Sequence, residues 1–539
     1  MESLPTALSF PRTRESIAGT RIPSRSPWVL SLFLSVALGA LPCPAAFEFF
    51  EPVQPPRAFQ TMVHRGMMRQ APENTAPAIE LAIRDGIEWV EVDVRLSADR
   101  KHILFHDSNL DGKTNGKGPL KEKTLEELLS LDAGSPFAPR FAGTRLLSLK
   151  ECLALSKGRI NLYLDCKEID PELLVSEVLA AGMEKQVVVF DDPETLAQVA
   201  KSSGGKIAVM PKWRPEMGLE RPFGDLEVAS IELDADAVTP EICNAFHKDG
   251  VKVQAKVLDE WDTPVWWSKC LDAGVDWFQT DLPEELIPHA LWRRLGERPV
   301  RFSLHRGALR YAPENTLAAF DKATRIGADF VEIDVRPSSD GEYFLLHDGK
   351  LERTTNGQGP IRETPSEKLR LLDAGSWFGK PFRDTRIPTL EEFLSFIGSK
   401  AEIYFDAKDI PPTDLAKALE KHDLAERAVV YQSVERLLEL KKINPRIRAL
   451  PPLPSLDMLD GLNKDLKPYA VDASFEIVSK EMIERCHAHQ VKVFTDALSE
   501  DLAPTDLLRL IDWGIDVIQT DEPMKLVRAM ELWLARKAE

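Results

Sequence analysis

Cysteine is scarce in this chain and is not arranged for a special role. The 539 residues contain six cysteines, with no Cys-x-x-Cys pair and no regular spacing. This distribution does not indicate a disulfide framework. We expect mostly buried free thiols, with at most one disulfide in the first half of the chain.

Positive charge is also in short supply. Asp and Glu number 86 against 68 Lys and Arg, and the formal net charge is -18. Because an acidic protein repels phosphate backbones, broad binding of nucleic acid is not expected. A small phosphate ester is still compatible, since a bound cation and a few basic side chains can reverse the local charge. A Ser/His/Asp nucleophile motif, a Walker loop and a dinucleotide fingerprint are all missing.

Long hydrophobic runs are absent except near the N-terminus. There, four arginines precede an apolar run at 28–41, and small residues follow at Cys43 and Ala45. This pattern is typical of a signal peptide, here residues 1–45, and predicts export to the periplasm or the extracellular space. The apolar run is short for a membrane-spanning helix. Because it lies within the predicted signal peptide, no stable membrane span is expected after cleavage. The alternative is a retained N-terminal anchor.

The chain repeats itself at an offset of 241 residues, with no gap through the motifs that carry charge. The first occurrences are His64-Arg65-Gly66, Ala71-Pro72-Glu73-Asn74-Thr75, Glu91-Val92-Asp93-Val94-Arg95, His106-Asp107, and Asp165 with Lys167. The second occurrences are His305-Arg306-Gly307, Ala312-Pro313-Glu314-Asn315-Thr316, Glu332-Ile333-Asp334-Val335-Arg336, His347-Asp348, and Asp406 with Lys408. A period this long indicates two duplicated domains rather than a solenoid, and we predict their limits at 56–294 and 299–536.

Runs with the composition of strands alternate with helical patterns in each half. This alternation over about 240 residues predicts an α/β fold of two tandem TIM-type (β/α) barrels. The first half has nine such runs, one more than a barrel needs. Only Ser97 to Lys101 separate the second and third runs, too few for a parallel crossover. We therefore expect a hairpin that turns at Ala98-Asp99 and sets Glu91 roughly opposite His106.

Carboxylates share one face of the predicted strands. Strand alternation puts Glu91 and Asp93 on the face opposite their valine neighbours, and Asp165 shares a face with Lys167 on the next strand. Inward-facing carboxylates cannot stay charged without a partner. A hard divalent cation, Mg²⁺ or Ca²⁺, suits these oxygen ligands, and Lys167 could reach a bound phosphate.

Two histidines end predicted strands. His64 and His106 could flank a P–O bond as general base and general acid, and Arg65 could clamp a phosphate oxygen. Each motif alone is commonly structural, but identical spacing in both halves favours a site. Two interpretations stay open for the segment 72–75: a loop that caps a helix, or a border of the site.

As an ordered set, these motifs resemble the glycerophosphodiester phosphodiesterase family. His-Arg-Gly, Pro-Glu-Asn-Thr, Glu-x-Asp-Val, His-Asp and Leu-x-Arg-Thr-Thr-x-Gly follow one another, and Leu-Asp-Ala-Gly-Ser, Pro-Thr-Leu-Glu-Glu and Thr-Asp-x-Pro come later. The resemblance covers both copies. It implies a TIM-type barrel with its site at the C-terminal strand ends. It also implies hydrolysis of small glycerophosphodiesters to glycerol 3-phosphate and an alcohol.

The resemblance implies roles by position in each copy, together with a divalent cation, Mg²⁺ or Ca²⁺, as cofactor. The implied catalytic histidines are His64, His106, His305 and His347. The implied metal ligands are Glu91, Asp93, Asp165, Glu332, Asp334 and Asp406. The implied substrate contacts are Arg65, Lys167, Arg306 and Lys408.

Two departures from the family pattern bear on function. The third carboxylate is usually Glu but is Asp165 or Asp406 here, which would shift the metal or recruit a water ligand. The second copy keeps Arg353-Thr354-Thr355 where the first has Gly112-Lys113-Thr114, so we favour the second copy for activity. The alternatives are a phospholipase-like lyase that stops at a cyclic phosphate, and a pair of phosphoester-binding barrels without catalysis.

Overall fold

Strands with an apolar outer face build a barrel in each half of the chain. The computed structural model describes residues 47–538, and the predicted signal peptide lies outside them. The first half contains β1 Gln60–Val63, β2 Trp89–Leu96, β3 His102–Leu104, β4 Asn161–Cys166, β5 Val187–Phe190, β6 Ala208–Val209, β7 Ser230–Asp234, β8 Lys252–Lys256 and β9 Trp277–Thr280. The second half contains β10 Arg301–Leu304, β11 Phe330–Pro337, β12 Tyr343–Leu345, β13 Glu402–Asp406, β14 Ala428–Tyr431, β15 Arg448–Leu450, β16 Ala470–Asp472, β17 Lys492–Ala497 and β18 Val517–Thr520.

Helices follow most of these strands. In the first half they are α1 Ala76–Arg84, α2 Leu125–Leu129, α3 Leu149–Ser156, α4 Pro171–Ala181, α5 Pro193–Ser203, α6 Pro240–Lys248, α7 Pro264–Ala273 and α8 Pro283–Arg294. In the second half they are α9 Leu317–Ile326, α10 Ser366–Leu369, α11 Leu390–Ile397, α12 Pro412–Lys421, α13 Val434–Ile443, α14 Leu459–Asp465, α15 Lys480–Ala488, α16 Pro504–Trp513 and α17 Pro523–Ala538. Single-turn 3-10 helices lie at Leu120–Glu122, Pro139–Phe141, Pro215–Met217, Ala235–Ala237, Asp259–Trp261, Ile361–Glu363, Lys380–Phe382, Ala425–Arg427 and Leu456–Met458.

The strand order is the same in both halves. The first sheet runs β6-β5-β4-β2-β1-β9-β8-β7 and the second runs β15-β14-β13-β11-β10-β18-β17-β16, with parallel pairing along both paths. Parallel bridges from Lys212 to Glu232 and from Pro452 to Asp472 close the two seams. The predicted fold of two tandem TIM-type barrels is confirmed. The exact domain limits at 56–294 and 299–536 stay a prediction.

The third strand of each half, the one in excess of the eight that a barrel needs, forms the expected hairpin. β3 pairs antiparallel with β2, and Val94 faces Leu104. The register differs by one residue from the prediction, because Ser97 N–H donates to the carbonyl of Lys101 and the turn centres on Asp99. Phe105 N–H donates to the carbonyl of Asp93 at 3.0 Å, which continues this register. The prediction that Glu91 lies roughly opposite His106 was therefore one residue off.

A reciprocal polar cap begins the helices α3 and α11. Thr389 Oγ1 accepts from Glu392 N–H at 3.1 Å, and Glu392 Oε2 accepts from Thr389 N–H at 2.7 Å. Ser148 and Glu151 make the same reciprocal pair at the start of α3. Such a capping box stabilises the first turn of a helix. The Pro-Thr-Leu-Glu-Glu motif therefore has a structural role.

One apolar cluster extends across the contact between the two barrels. α8 of the first barrel packs on α9 and α17 of the second, and the same hydrophobic cluster includes Leu291, Phe320 and Met530. Buried ion pairs cross the interface, including Lys322 Nζ to Glu284 Oε1 at 2.8 Å and Arg57 Nε to Glu531 Oε1 at 2.8 Å. The short connection between the halves therefore joins domains in contact.

The five cysteines within residues 47–538 are buried thiols, as expected: Cys152, Cys166, Cys243, Cys270 and Cys486. No helix within that same range is long and apolar enough to cross a bilayer.

A buried hydrogen bond joins Tyr311 and Asp85 across the contact between the barrels. Tyr311 of the second barrel donates its hydroxyl to Asp85 Oδ2 of the first at 2.9 Å, and Arg310 Nη2 lies 3.5 Å from the other carboxylate oxygen. Burial raises the pKa of Asp85 to about 7, while Tyr311 acts to lower it. Tyr311→Phe is expected to lower the free energy of unfolding by about 1–3 kcal/mol above that pKa, because a buried carboxylate loses its donor.

The loss should shrink as the pH falls. Below a pH of about 7 Asp85 takes up a proton in the folded state, and the neutral carboxyl loses less when the hydroxyl is removed. Thermal unfolding at mildly alkaline and at acidic pH measures the difference. Tyr469→Phe is the matched control, because the Tyr469 hydroxyl makes no hydrogen bond within the described chain. Equal losses at both pH values would contradict this account of Asp85.

Candidate active site

Three carboxylates meet at the C-terminal strand ends of each barrel. Asp93 of β2 lies beside Asp165 of β4 in the parallel ladder, and Glu91 is two residues back on the same face. Glu91, Asp93 and Asp165 each offer one oxygen within 4.8 Å of the others, and Glu332, Asp334 and Asp406 do the same in the second barrel. All six residues proposed from the sequence as metal ligands thus fall into two clusters of three.

The clusters have the chemistry of a cation site. Glu91 and Asp93 are 0% and 1% exposed. Burial, and then Asp93 and Asp165, raise the pKa of Glu91 well above its ordinary value. Glu91 Oε1 and Asp93 Oδ1 are buried without a hydrogen-bond partner among the described residues. Three carboxylates this close together at this burial fit a hard divalent cation, which prefers several oxygen ligands.

The His-Arg-Gly and Pro-Glu-Asn-Thr motifs hold this cluster in place. Arg65 N–H donates to Glu91 Oε2 at 2.7 Å. Asn74 Nδ2 donates to Asp93 Oδ2 at 2.8 Å, and Asn74 Oδ1 accepts from Asp93 N–H at 3.0 Å. Thr75 also precedes α1 as its N-cap residue. The segment 72–75 therefore borders the site and begins a helix, which joins the two interpretations left open by the sequence.

Glycine completes the first of these motifs for steric reasons. Gly66 has φ of +74°, and a Cβ there would lie 2.7 Å from Ala78 Cβ. The close approach of α1 lets Arg65, at φ of 54°, aim its backbone N–H at Glu91. A larger residue at 66 would push α1 away from the cluster.

Basic side chains lie against the carboxylates. Lys167 Nζ is 2.6 Å from Asp165 Oδ2 and 3.4 Å from Asp93 Oδ1. Arg65 Nε is 3.4 Å from Asp93 Oδ2. Lys408 and Arg306 repeat these contacts, with Lys408 Nζ at 2.9 Å from Asp406 and 3.0 Å from Asp334. Each proposed phosphate contact thus lies beside the proposed metal ligands.

Each candidate catalytic histidine pairs with an aspartate. His64 Nδ1 lies 3.0 Å from Asp281 Oδ1, and His106 Nδ1 lies 2.7 Å from Asp107 Oδ1. The second barrel has the same pairs, His305 with Asp521 at 2.9 Å and His347 with Asp348 at 2.8 Å. A carboxylate on Nδ1 fixes the ring orientation and leaves Nε2 for proton transfer.

Sequence reasoning missed the partners that come from distant segments. Asp281 and Asp521 end a repeated Gln-Thr-Asp motif, to which sequence patterns alone assign no role. Because β1 and β9 are neighbours in the barrel, the residue after β9 reaches the histidine after β1. The repetition of an aspartate at this position was the available signal.

The two sites differ less than their sequences suggest near residue 113. Arg353 binds Glu314 through Nη1 at 2.7 Å and Asp348 through Nε at 2.6 Å. In the first barrel Lys113 Nζ binds Glu73 Oε2 at 2.7 Å. Lys113 lies one position beyond Gly112, the counterpart of Arg353. It reproduces the contact with the glutamate, because Glu73 is the counterpart of Glu314.

Comparison with known proteins identifies the family. The model of the glycerophosphoryl diester phosphodiesterase family matches residues 64–192 and 305–525. The chain belongs to this family. The predicted tandem arrangement is confirmed, and so is the prediction of a phosphoric diester hydrolase.

Relatives within the glycerophosphoryl diester phosphodiesterase family align with a single copy. A glycerophosphodiester phosphodiesterase of Bacillus subtilis (strain 168) is 30% identical over 245 residues, which are 41% of this chain and 82% of that protein. One from Caldanaerobacter subterraneus subsp. tengcongensis is 32% identical over 233 residues, 41% of this chain and 94% of that protein. The crystal structure of a glycerophosphodiester phosphodiesterase from Agrobacterium tumefaciens is 28% identical, with a TM-score of 0.40, and covers 42% of this chain and 99% of that one.

Proposed function

We propose that each barrel hydrolyses glycerophosphodiesters to glycerol 3-phosphate and an alcohol. The observation that carries the proposal is the same constellation at both barrel mouths: three carboxylates within 4.8 Å, with two histidine–aspartate pairs beside them. Relatives named glycerophosphodiester phosphodiesterase support the substrate class. The N-terminal pattern of residues 1–45 supports the further proposal that hydrolysis takes place after export.

The side chains divide the work. In the second barrel Arg306 and Lys408 would bind the phosphoryl oxygens, and His305 and His347 would move protons at Nε2 while Asp521 and Asp348 hold their rings. Acid–base catalysis by positioned histidines contributes roughly 10²–10⁴-fold to rate. The same roles fall to His64, His106, Arg65 and Lys167 in the first barrel.

A divalent cation would be held by Glu91, Asp93 and Asp165, and by Glu332, Asp334 and Asp406. When bound, such an ion neutralises charge on phosphoryl oxygens and acidifies an attacking hydroxyl. Asn74 and Arg65 N–H keep the first carboxylates in position, as Asn315 and Arg306 N–H do in the second barrel. Mg²⁺ and Ca²⁺ both suit an all-oxygen set.

Product analysis tests the reaction type. The full chain is incubated with glycerophosphocholine and Mg²⁺ or Ca²⁺, and the products are followed by phosphorus NMR. Glycerol 3-phosphate as the end product supports hydrolysis. A cyclic phosphate that accumulates would favour the lyase, and no turnover with either ion would favour barrels that only bind phosphoesters.

Asp521 is expected to act as a positioning residue for His305. In a chain whose first barrel carries His106→Ala, Asp521→Asn is expected to lower kcat about tenfold or more with little change in KM, because the ring loses its orienting carboxylate. Asp521→Glu should recover part of the rate, since it restores the negative charge. If Asp521→Asn and Asp521→Glu lose equal activity, the carboxylate has no role in positioning His305.

A further inference from the structure

The two barrel mouths differ in charge, because two lysines of the first have no basic counterpart in the second. β7 pairs with β8 from Ser230 and Lys252 onward, and β16 pairs with β17 from Ala470 and Lys492 onward. Counting along these ladders, Glu232 corresponds to Asp472, and Lys256 corresponds to Asp496. The seam bridges likewise match Lys212 with Pro452. The second mouth thus replaces two lysines with an aspartate and a proline.

In the first barrel, basic side chains lie close to the acids of β7, Glu232 and Asp234. Lys212 Nζ lies 2.6 Å from Asp234 Oδ1 and 3.6 Å from Glu232 Oε1. Tyr163 donates its hydroxyl to Glu232 Oε2 at 2.9 Å. Burial raises the pKa of Glu232, and Lys256 and Lys212 oppose that rise. Two acids and two lysines therefore nearly balance at this mouth.

In the second barrel the acids lack such compensation. Asp472 Oδ1 is buried and has no hydrogen-bond partner among residues 47–538. Asp496 Oδ1 accepts from Gln519 Nε2 at 2.9 Å. Burial raises the pKa of both aspartates, and Asp496 adds to the rise for Asp472. Two carboxylates that have no lysine or arginine partner among the described residues favour a positively charged ligand group.

These aspartates lie beside the reacting groups and beside aromatic rings. Asp496 is close enough to His305 and Asp406 for both to act on its pKa. Tyr404 packs against Phe494 and Tyr431, with ring centroids 6.1 Å and 6.3 Å apart. The position of Phe494 is Gln254 in the first barrel. Phe494 and Tyr404 are buried, so Tyr431, which is partly exposed, is the ring of these three that can present an aromatic face to an ammonium group.

We propose that Asp472 and Asp496 make the second barrel selective for glycerophosphodiesters whose alcohol is positively charged, and that Lys256 makes the first barrel disfavour them. The inference rests on the proposed function and specifies the substrate class of each site. The reaction is the same in both barrels. The two barrels differ in the charge of the leaving alcohol that they prefer.

The full chain tests this with one barrel silenced at a time. His106→Ala leaves the second barrel active, and His347→Ala leaves the first. The two probes are glycerophosphocholine, with a quaternary ammonium alcohol, and glycerophosphoglycerol, with a neutral one. The ratio of kcat/KM for the two esters is measured on one protein preparation, so partial loss of folded protein does not affect it. We expect the ratio in favour of the cationic ester to be about tenfold or more higher in the second barrel.

Charge exchange at one position gives the matched variants. With the first barrel silenced, Asp496→Lys should lower the ratio by about tenfold or more, and Asp496→Asn should lower it by less. With the second barrel silenced, Lys256→Asp should raise it. Equal ratios in the two barrels, or variants that lower both esters alike, would overturn the inference while hydrolysis stands. If the unmodified chain hydrolyses neither ester with Mg²⁺ or Ca²⁺, the proposed function fails and this inference with it.

Discussion

Replacing His106 and His347 by alanine in one chain is expected to lower kcat for glycerophosphodiesters by roughly 10³-fold. Each ring follows the short hairpin strand of its barrel and is held by the next residue, Asp107 at 2.7 Å or Asp348 at 2.8 Å. The hydrogen bond from His106 lowers the pKa of Asp107 and outweighs the opposing effect of burial. Asp107 therefore keeps its negative charge beside the His106 ring. Alanine removes the group that moves the proton and leaves the carboxylate cluster in place.

The single variants divide the activity between the barrels. We expect His347→Ala to remove the larger share, because Arg353 ties Asp348 to Glu314 in the second barrel, whereas Lys113 reaches only Glu73 in the first. Equal losses from the two single variants would contradict that ranking. A double variant that keeps near-normal turnover would exclude both histidines from the mechanism.

A matched pair of histidines outside the sites provides the control. His247 Nε2 lies 2.7 Å from Asp276 Oδ2, and His487 Nε2 lies 2.7 Å from Asp516 Oδ2, at corresponding positions of the two barrels. Both histidines lie on helices, α6 and α15, and are partly exposed. Their partners directly precede β9 and β18, at the strand ends opposite the carboxylate clusters. Replacing His247 and His487 by alanine should leave kcat within about twofold, since exposed substitutions of this kind have small effects.

The parts of the molecule that the sequence predicted depend on local order. Alternation along β2 puts Glu91 and Asp93 on one face of the strand. The repeat places Glu332 and Asp334 in the same way in the second half. Neighbouring parallel strands then bring Asp165 alongside. Strand periodicity and the internal repeat were therefore sufficient to predict the carboxylate clusters.

The parts that could not be predicted depend on how distant segments meet. Asp281 reaches His64 across 217 positions of the chain, because the barrel closes between β9 and β1. Asn74 reaches Asp93 only because α1 packs closely on Gly66. The hairpin register is local but was also missed, because it depends on the hydrogen bond from Ser97 N–H to the carbonyl of Lys101 within one turn. None of these distances is encoded in strand periodicity.

Removing divalent cations is expected to lower hydrolysis by both barrels by roughly 10³-fold, and adding Mg²⁺ or Ca²⁺ back should restore it. Glu91 Oε1 has no hydrogen-bond partner within residues 47–538. In that same range the Oδ1 atoms of Asp93 and Asp334 are approached by a lysine ammonium, at 3.4 Å and 3.0 Å. Equilibrium dialysis should find one bound cation per barrel. Glu91→Gln should remove the one in the first barrel and Glu332→Gln the one in the second. Full activity in excess chelator would exclude the cation from the mechanism.

Stability supplies a second readout that does not depend on turnover. Burial and the neighbouring carboxylates raise the pKa of Glu91 and Glu332 well above the ordinary 4.5. For a raised pKa, the stabilising contribution is complete below the ordinary value and is lost as the pH rises through the folded-state value. In chelator at a pH of about 8, the chain with Glu91→Gln and Glu332→Gln should therefore unfold at a higher temperature than the unmodified chain, and the difference should vanish near a pH of about 4. A bound cation should reverse the order at alkaline pH, because only the unmodified clusters gain the binding free energy on folding. If the glutamine chain is less stable in chelator, these carboxylates are held by protein partners alone and the cation is not required to balance them.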